Sequence, residues 1–290
     1  MSGVLFDEPG PRAKRRTRIA TAVTVVAVLA LVAVAVLRFA STGQLDADLW
    51  APMLDPSSEE FGPVWEIIGS GLAVTLRAFA VAAAASLVLG VTIAAVRLSL
   101  GRTARLSLVA AVELFRGLPV VVTIFLAGEV LRLVDSGIST FWALVLGLTA
   151  YNSVIIAEIV RAGVVALPRG QSEAGLAIGL TSGQVMRSIQ LPQALRAMLP
   201  AVISQLVVVL KDTALASIVF NDVQDLVYAA NRLRLVLDNS LQAFVLIALI
   251  YIVLCVVLDR AAVWTERRLS RSRPATAGAV APAEEAVTRV

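Results

Sequence analysis

Long apolar runs alternate along this chain with short polar links, and that alternation limits what it can fold into. Ile19 to Leu37 contains no charged residue. A helix that crosses a bilayer needs about 20 such residues, and in lipid every backbone N–H and C=O must find its partner inside the segment. Further runs lie at about Ile67–Val96, Pro119–Val134, Thr140–Val160, Ala197–Phe220 and Leu241–Trp264. Only 16% of the 290 residues are charged, against about 25% in a soluble domain. The pattern predicts an all-α integral membrane protein with six transmembrane helices.

Cations set the orientation. Residues 1–18 carry Arg12, Lys14, Arg15, Arg16 and Arg18. Arginines return at 97, 102, 105 and 116, at 169, 187 and 196, and from 267 to 273. Residues 41–66 instead hold Asp46, Asp48, Asp55, Glu59, Glu60 and Glu66 with no Lys or Arg, and Pro52, Pro56 and Pro63 are expected to break any helix there. Asp135-Ser136-Gly137 reads as a second outer turn, and 221–240, with Asp222, Asp225 and Asp238, as an outer segment. The positive-inside rule then places both termini in the cytoplasm. The first apolar run exceeds the 7–15 residues of a signal-peptide core, and Arg38 stands where a small cleavage-site residue belongs. It is read as a retained helix over 19–40. The Ala-, Pro-, Arg- and Glu-rich stretch 270–290 reads as a disordered cytoplasmic tail.

Several chemistries are excluded. There is no His, which removes histidine metal sites and histidine acid–base catalysis. A single Cys255 permits no internal disulfide. No Gly-rich Lys-Ser/Thr phosphate loop is present. The net charge of +4 lies in the cytoplasmic-type links, so nucleic acid is not implied. No catalytic, cofactor-binding or metal-binding residue is nominated.

The cytoplasmic link 161–196 is longer than a turn requires. Pro168 suits the start of a helix. Gly179 can close that helix in a left-handed cap, and Ser182 can cap a second helix through Ile189 that Pro192 then stops. Gly175, Gly179 and Gly183 form overlapping GxxxG patterns, which in a polar loop point to turns or close approach to a partner. Two readings stand on the residues alone: a docking element for a cytoplasmic partner, or an amphipathic hairpin lying on lipid.

Within this loop Glu173-Ala174-Gly175, Gly179, Ile189 and Leu191-Pro192 resemble the EAA loop of ATP-binding-cassette (ABC) importer permeases. The flanks Glu113–Pro119, Ala157-Glu158-Ile159-Val160-Arg161, Pro168–Gln171, Leu191–Ala194 and Leu210-Lys211-Asp212-Thr213 resemble the polar amino-acid uptake group, the histidine/glutamine/glutamate permease type. The resemblance spans roughly Gly71 to Arg260. It implies the five-helix core of an ABC type I importer permease within 67–269, with the N-terminal helix as an addition. It implies that Glu173, Ala174, Gly175, Gly179, Ile189, Leu191 and Pro192 couple the chain to a cytoplasmic ATPase dimer. ATP would be bound there, with no cofactor on this chain. It also implies a second permease subunit, an unequal heterodimer being favoured by the extra helix. An extracytoplasmic binding protein would deliver a polar or acidic amino acid such as glutamate across the plasma membrane. Three positions depart from the pattern: Gly175 replaces Ala and is expected to loosen the first loop helix, Ile155 replaces a common Tyr, and Ala214 a common Ser.

Charges inside apolar spans need a reason, since each costs at least ~2.5 kcal/mol at the bilayer centre. Arg77 and Glu129 are read as internally paired or reaching toward the outer surface, with Arg77 also a candidate for the substrate path. Lys211 and Asp212 either mark a helix interruption held by internal bonds or, with Thr213, Asn152 and Arg77, line the route of a zwitterion. Adjacent helical residues point about 100° apart, so the path reading expects a locally opened helix. The alternative function is an ion-gradient-driven secondary transporter of small polar solutes, which would show paired broken helices in both halves. No second copy of the Lys-Asp break is found. An enzyme or receptor would need a catalytic constellation or an added domain.

Overall fold

The computed structural model describes residues 10–134 and 137–270, and these contain helices and no strand. The N-terminal helix α1, Pro11–Ser41, begins within the basic segment, with Pro11 in its first turn where a missing N–H costs nothing. It has no buried residue and stands clear of the rest. A turn with Gly43 at φ 71° leads to α2, Ala47–Leu54.

That short helix corrects the expectation of a helix-free outer loop. Pro52 lies inside α2, where it removes one backbone bond. Packing compensates: Pro52 and Met53 are buried. Side chains also hold the segment down, Trp50 donating to the Gln44 carbonyl, Asn239 to Leu49 and Gln242 to Gln44. Pro63 falls in the first turn of α3, Phe61–Ser99, so it does not break that helix either.

After α3 the chain forms α4, Arg102–Gly117, and α5, Val120–Leu133. Leu118, the residue before Pro119, is extended at ψ 141°, as the proline ring demands, and the two helices meet at 107°. The third span therefore differs from the sequence reading. At 1.5 Å per residue, the 14 residues of α5 reach about 21 Å, short of a ~30 Å hydrocarbon core. Among the described residues five helices are long and apolar enough to cross, or six with the bent α4–α5 pair taken as one.

The central helix is α6, Thr140–Val165. It is the most enclosed of the spanning candidates, with 67% of its most apolar window buried. Close contact at small residues is how membrane helices associate without a hydrophobic drive. At Gly147 a Cβ would come within 2.4 Å of the Ile124 Cα, so α5 lies directly on α6. Ala78, Ala82, Ile124, Leu144, Leu148 and Val209 join α3, α5, α6 and α9 in one buried cluster.

The last part of the chain holds α7, Arg169–Ala177, α8, Ser182–Val185, α9, Leu191–Asp212, and the short α10, Ala216–Val219. Two more helices follow, α11, Leu226–Leu237, and α12, Ser240–Ser270. Helix α11 was not expected within 221–240. Its Leu226, Ala229, Ala230 and Leu233 are buried, against Val64 and Ile68 of α3 and Ala243 and Ile247 of α12. The proposed tail lies outside the described residues from 271 onward, as does the Asp135-Ser136 turn.

Candidate coupling loop and translocation path

The loop between α6 and α9 is built from local backbone signals. Pro168 is the cap of α7, one residue before the helix proper, with ψ 132°. At the far end Gly179 has φ +87°, a conformation costly for any residue with a Cβ. Its N–H donates to the Leu176 carbonyl at 3.0 Å, and the Leu180 N–H donates to Gly175 at 3.2 Å. This pair of bonds is a Schellman closure. The second helix is capped by Thr181, not Ser182: the Gln184 N–H donates to Thr181 Oγ1 at 3.3 Å, and the Thr181 N–H donates to Gln184 Oε1 at 2.8 Å. Both donors of the capping box are thereby satisfied.

Gly175 does not loosen the loop. It is buried, and a Cβ there would come within 2.8 Å of Val185 and 2.9 Å of Ile189. The missing methyl lets the two loop helices touch. Nor does Pro192 stop the second helix. Residues Met186–Gln190 form a π turn that runs directly into α9, and the Leu191 N–H reaches back to Met186. Pro192 then sits in the first turn of α9. A proline ring clashes with the carbonyl four residues earlier, and the wider π turn accommodates it. Gln193 fastens the junction, donating to the Ile189 carbonyl at 2.9 Å and to Gln171 Oε1 at 3.3 Å. What the loop leaves uncovered is Glu173 and Ala174, with Leu176 47% and Ile178 78% exposed beside them.

The five path candidates are not gathered into one site. Asn152 is fully buried and internally bonded: its Nδ2 donates to Leu148 at 2.9 Å, and its Oδ1 accepts from Gln205 at 2.7 Å. That bond ties α6 to α9. Sequence reasoning missed Gln205, although a lone amide in an apolar run was a visible signal. Thr213 is also buried, its hydroxyl donating to the Leu210 carbonyl. Arg77 and Lys211 are exposed, and no ion pair joins either to Asp212 among the described residues. Asp212 is half-buried with Oδ2 unpartnered. The helix does not open at Lys211-Asp212. It tightens into a 3-10 turn at Thr213–Leu215, where the Thr213 hydroxyl donates to the Leu210 carbonyl. Glu129 pairs one turn along with Arg132.

Residues 86–271 match the model of the binding-protein-dependent transport system inner membrane component. The chain belongs to this family. The permease is 38% identical over 241 residues to the glutamate transport system permease protein GluD of Corynebacterium glutamicum, covering 80% of this chain and 83% of that protein. It is 31% identical over 209 residues to the arginine transport system permease protein ArtQ of Bacillus subtilis, covering 71% and 94%. Among solved structures, the permease resembles a crystal structure of an amino acid ABC transporter with histidines at 30% identity and TM-score 0.64, covering 72% of this chain and 96% of that one. The inward-facing MetNI methionine ABC transporter shares the fold at 19% identity and TM-score 0.64. The permease is thus an all-α, multi-pass membrane subunit of an amino-acid ABC importer and not itself an enzyme. Its family implies a separate ATPase and a binding protein as partners.

Proposed function

We propose that this permease carries polar or acidic amino acids, glutamate foremost, and that its Glu173–Pro192 loop is the surface through which a cytoplasmic ATPase dimer drives it. One observation carries the coupling reading. The loop is folded in the isolated chain by its own caps, yet presents Glu173 and Leu176 of α7 and Ile178 at its C-terminal cap uncovered. A carboxylate flanked by apolar side chains suits a partner that offers a guanidinium, a contact worth up to ~3 kcal/mol when water is excluded. Ala174 lies on the same exposed surface, while Gly175, Gly179 and Ile189 hold the two helices together and Leu191-Pro192 join them to α9.

Glutamate is supported by the likeness to the Corynebacterium permease. Lys211 and Arg77, neither held in a close ion pair among the described residues, would offset its surplus negative charge, with Asp212 and Thr213 at the adjacent helix change. ATP stays on the ATPase, and this chain binds no cofactor. An unequal second permease subunit completes the pore, and α1, with no buried residue, is free to meet it or lipid. Both termini face the cytoplasm, as the arginine distribution requires.

The test is uptake by vesicles holding the assembled transporter. Glu173→Ala and Gly179→Arg are expected to lower amino-acid uptake roughly tenfold, the scale of one charge-assisted contact, at unchanged membrane insertion. Normal uptake by both variants would remove the coupling role.

A further inference from the structure

The Ala157–Arg161 run precedes the loop, and among the described residues it carries a partly enclosed ionic contact between two helices. Arg97, in the last turn of α3, donates from Nη1 to Glu158 Oε2 at 2.8 Å. Arg161 Nε donates to both Glu158 carboxylate oxygens at 3.0 Å, and its Nη2 adds a contact to Oε1. One carboxylate therefore holds two guanidiniums. The Arg97 and Glu158 side chains are 15% and 27% exposed, whereas Arg116–Glu113 at 48% and 46% stays within one helix.

The surroundings say what this contact joins. Just outward, a Cβ on Gly90 of α3 would meet Ile156 at 2.7 Å and the Ser153 carbonyl at 2.8 Å. Ala94, Ile156, Ala157 and Val160 are buried together, and Leu191 and Leu195 from the root of α9 pack on the same cluster. The loop enters from α6 and leaves through α9, so its displacement reaches both helices through the chain itself. It reaches α3 across this interface, beside the apolar contacts that the π turn and α9 themselves make with α3. Apolar contacts in a membrane lack a hydrophobic penalty for sliding, while charge-assisted hydrogen bonds have a fixed direction and length.

We propose that Glu158 is a positioning residue: through Arg97 and Arg161 it makes α3 move as one body with the coupling loop. This rests on the coupling role of the loop. The tie stays closed through the transport cycle and sends loop motion into the helix that carries Arg77.

The experiment uses the assembled transporter in vesicles, with radiolabelled glutamate, glutamine and arginine supplied together as cargo. The readout is cargo moved per ATP hydrolysed. Glu158→Gln is expected to lower this ratio roughly tenfold, the range of coupling between contacting residues, with the ATPase still co-purifying. Arg97→Lys should keep most of it, because Arg97 uses a single bond and a point charge can replace it. In a Cys255→Ser background, Arg97→Cys with Glu158→Cys should be poorly coupled, and a short bifunctional thiol reagent bridging the two should restore the ratio. An unchanged ratio in Glu158→Gln overturns the proposal, and so does a bridge that blocks transport instead of restoring it. If Glu158→Gln fails to assemble, the bridged and unbridged double variant decides. Glu173→Ala measured in parallel separates the two readings: normal coupling there with loss in Glu158→Gln would remove the loop's role and not that of the tie.

Discussion

The cytoplasmic loop between α6 and α9 and the outer segment between α9 and α12 both interrupt spanning helices, and they are held by opposite means. In the loop, hydrogen bonds stay inside the loop and mostly reach a few residues: Thr181 with Gln184, Gly179 with Leu176, Leu180 with Gly175, and at the longest Gln193 with Gln171. In the outer segment they reach across the chain. Thr140 donates to Asp222 at 2.7 Å, the Leu226 N–H donates to Thr75 Oγ1 at 3.1 Å, and Asn239 donates to Leu49 at 2.8 Å. The loop can thus keep its shape while it moves against a partner. The outer segment keeps its shape only while α3 and α12 stay in place.

The sharpest way to break this comparison is at Gly71 of α3. A Cβ there would lie 2.8 Å from the Asp225 carbonyl oxygen and 3.1 Å from its carbon, and a backbone cannot rotate aside as a side chain can. Gly71→Val is expected to destabilise the outer segment by about 3 kcal/mol, the upper range for overpacking. Hydrogen exchange should show residues 226–237 losing protection together, while 169–190 keep theirs. Equal loss in both regions would show that the loop also depends on the outer packing.

The same division decides what could be read from the sequence. Gly179 was legible because a glycine after a helical run, with a cap residue following, has a local meaning. Five of the spans were legible because lipid demands long apolar runs, whereas the third is the bent α4–α5 pair. Helix α11 was missed although Leu226, Ala230 and Leu233 stand at helical spacing behind Asp225, because Arg232 and Arg234 flank Leu233 and the burial against Val64, Ile68 and Ile247 is tertiary. Pro52 and Pro192 misled for a related reason. A proline removes one bond locally, and whether packing or a π turn compensates is a tertiary matter. Of the site, the spacing from Glu173 to Pro192 was readable. The Asn152–Gln205 bond, between residues 53 apart, was not.

Asp225 gives a second, smaller test. It lies outside the spanning helices and is 1% exposed. Burial pushes its carboxyl up to about 6, partly offset by the Tyr228 N–H that donates to Oδ1 at 2.8 Å. The folded chain then holds this proton more tightly than the unfolded chain, where the value is near 3.8. The resulting stability is complete below pH 4 and is lost as pH rises through 6. The gain on acidification from pH 7 to 4 should be about 2 kcal/mol larger in wild type than in Asp225→Asn, at 1.36 kcal/mol per unit and allowing for partial relaxation. Thermal melts of the purified protein in detergent at the two pH values measure it. Equal pH dependence in both proteins would mean that the carboxylate is solvated and the segment less closed than described.

The smallest expected effect is in the loop and separates two caps one residue apart. By residue type either Thr181 or Ser182 could start the second loop helix. The geometry selects Thr181, whose Oγ1 accepts from the Gln184 N–H while Gln184 Oε1 accepts from the Thr181 N–H. Thr181→Ala removes one of these bonds and leaves a helix N–H without its partner, at a cost of about 1 kcal/mol. Ser182→Ala removes nothing from the box and should be neutral within a few tenths of a kcal/mol. The cost should remain local, because both partners of the box lie inside the loop. Protease cleavage at Arg187 in the assembled vesicles is expected to accelerate about fivefold in Thr181→Ala, by the conversion of ~1 kcal/mol into an opening equilibrium. Cleavage in Ser182→Ala should match wild type, and the α11 amides should exchange at the same rate in all three proteins. Faster exchange in α11 on loss of Thr181 would tie the two ends together and end the distinction between them.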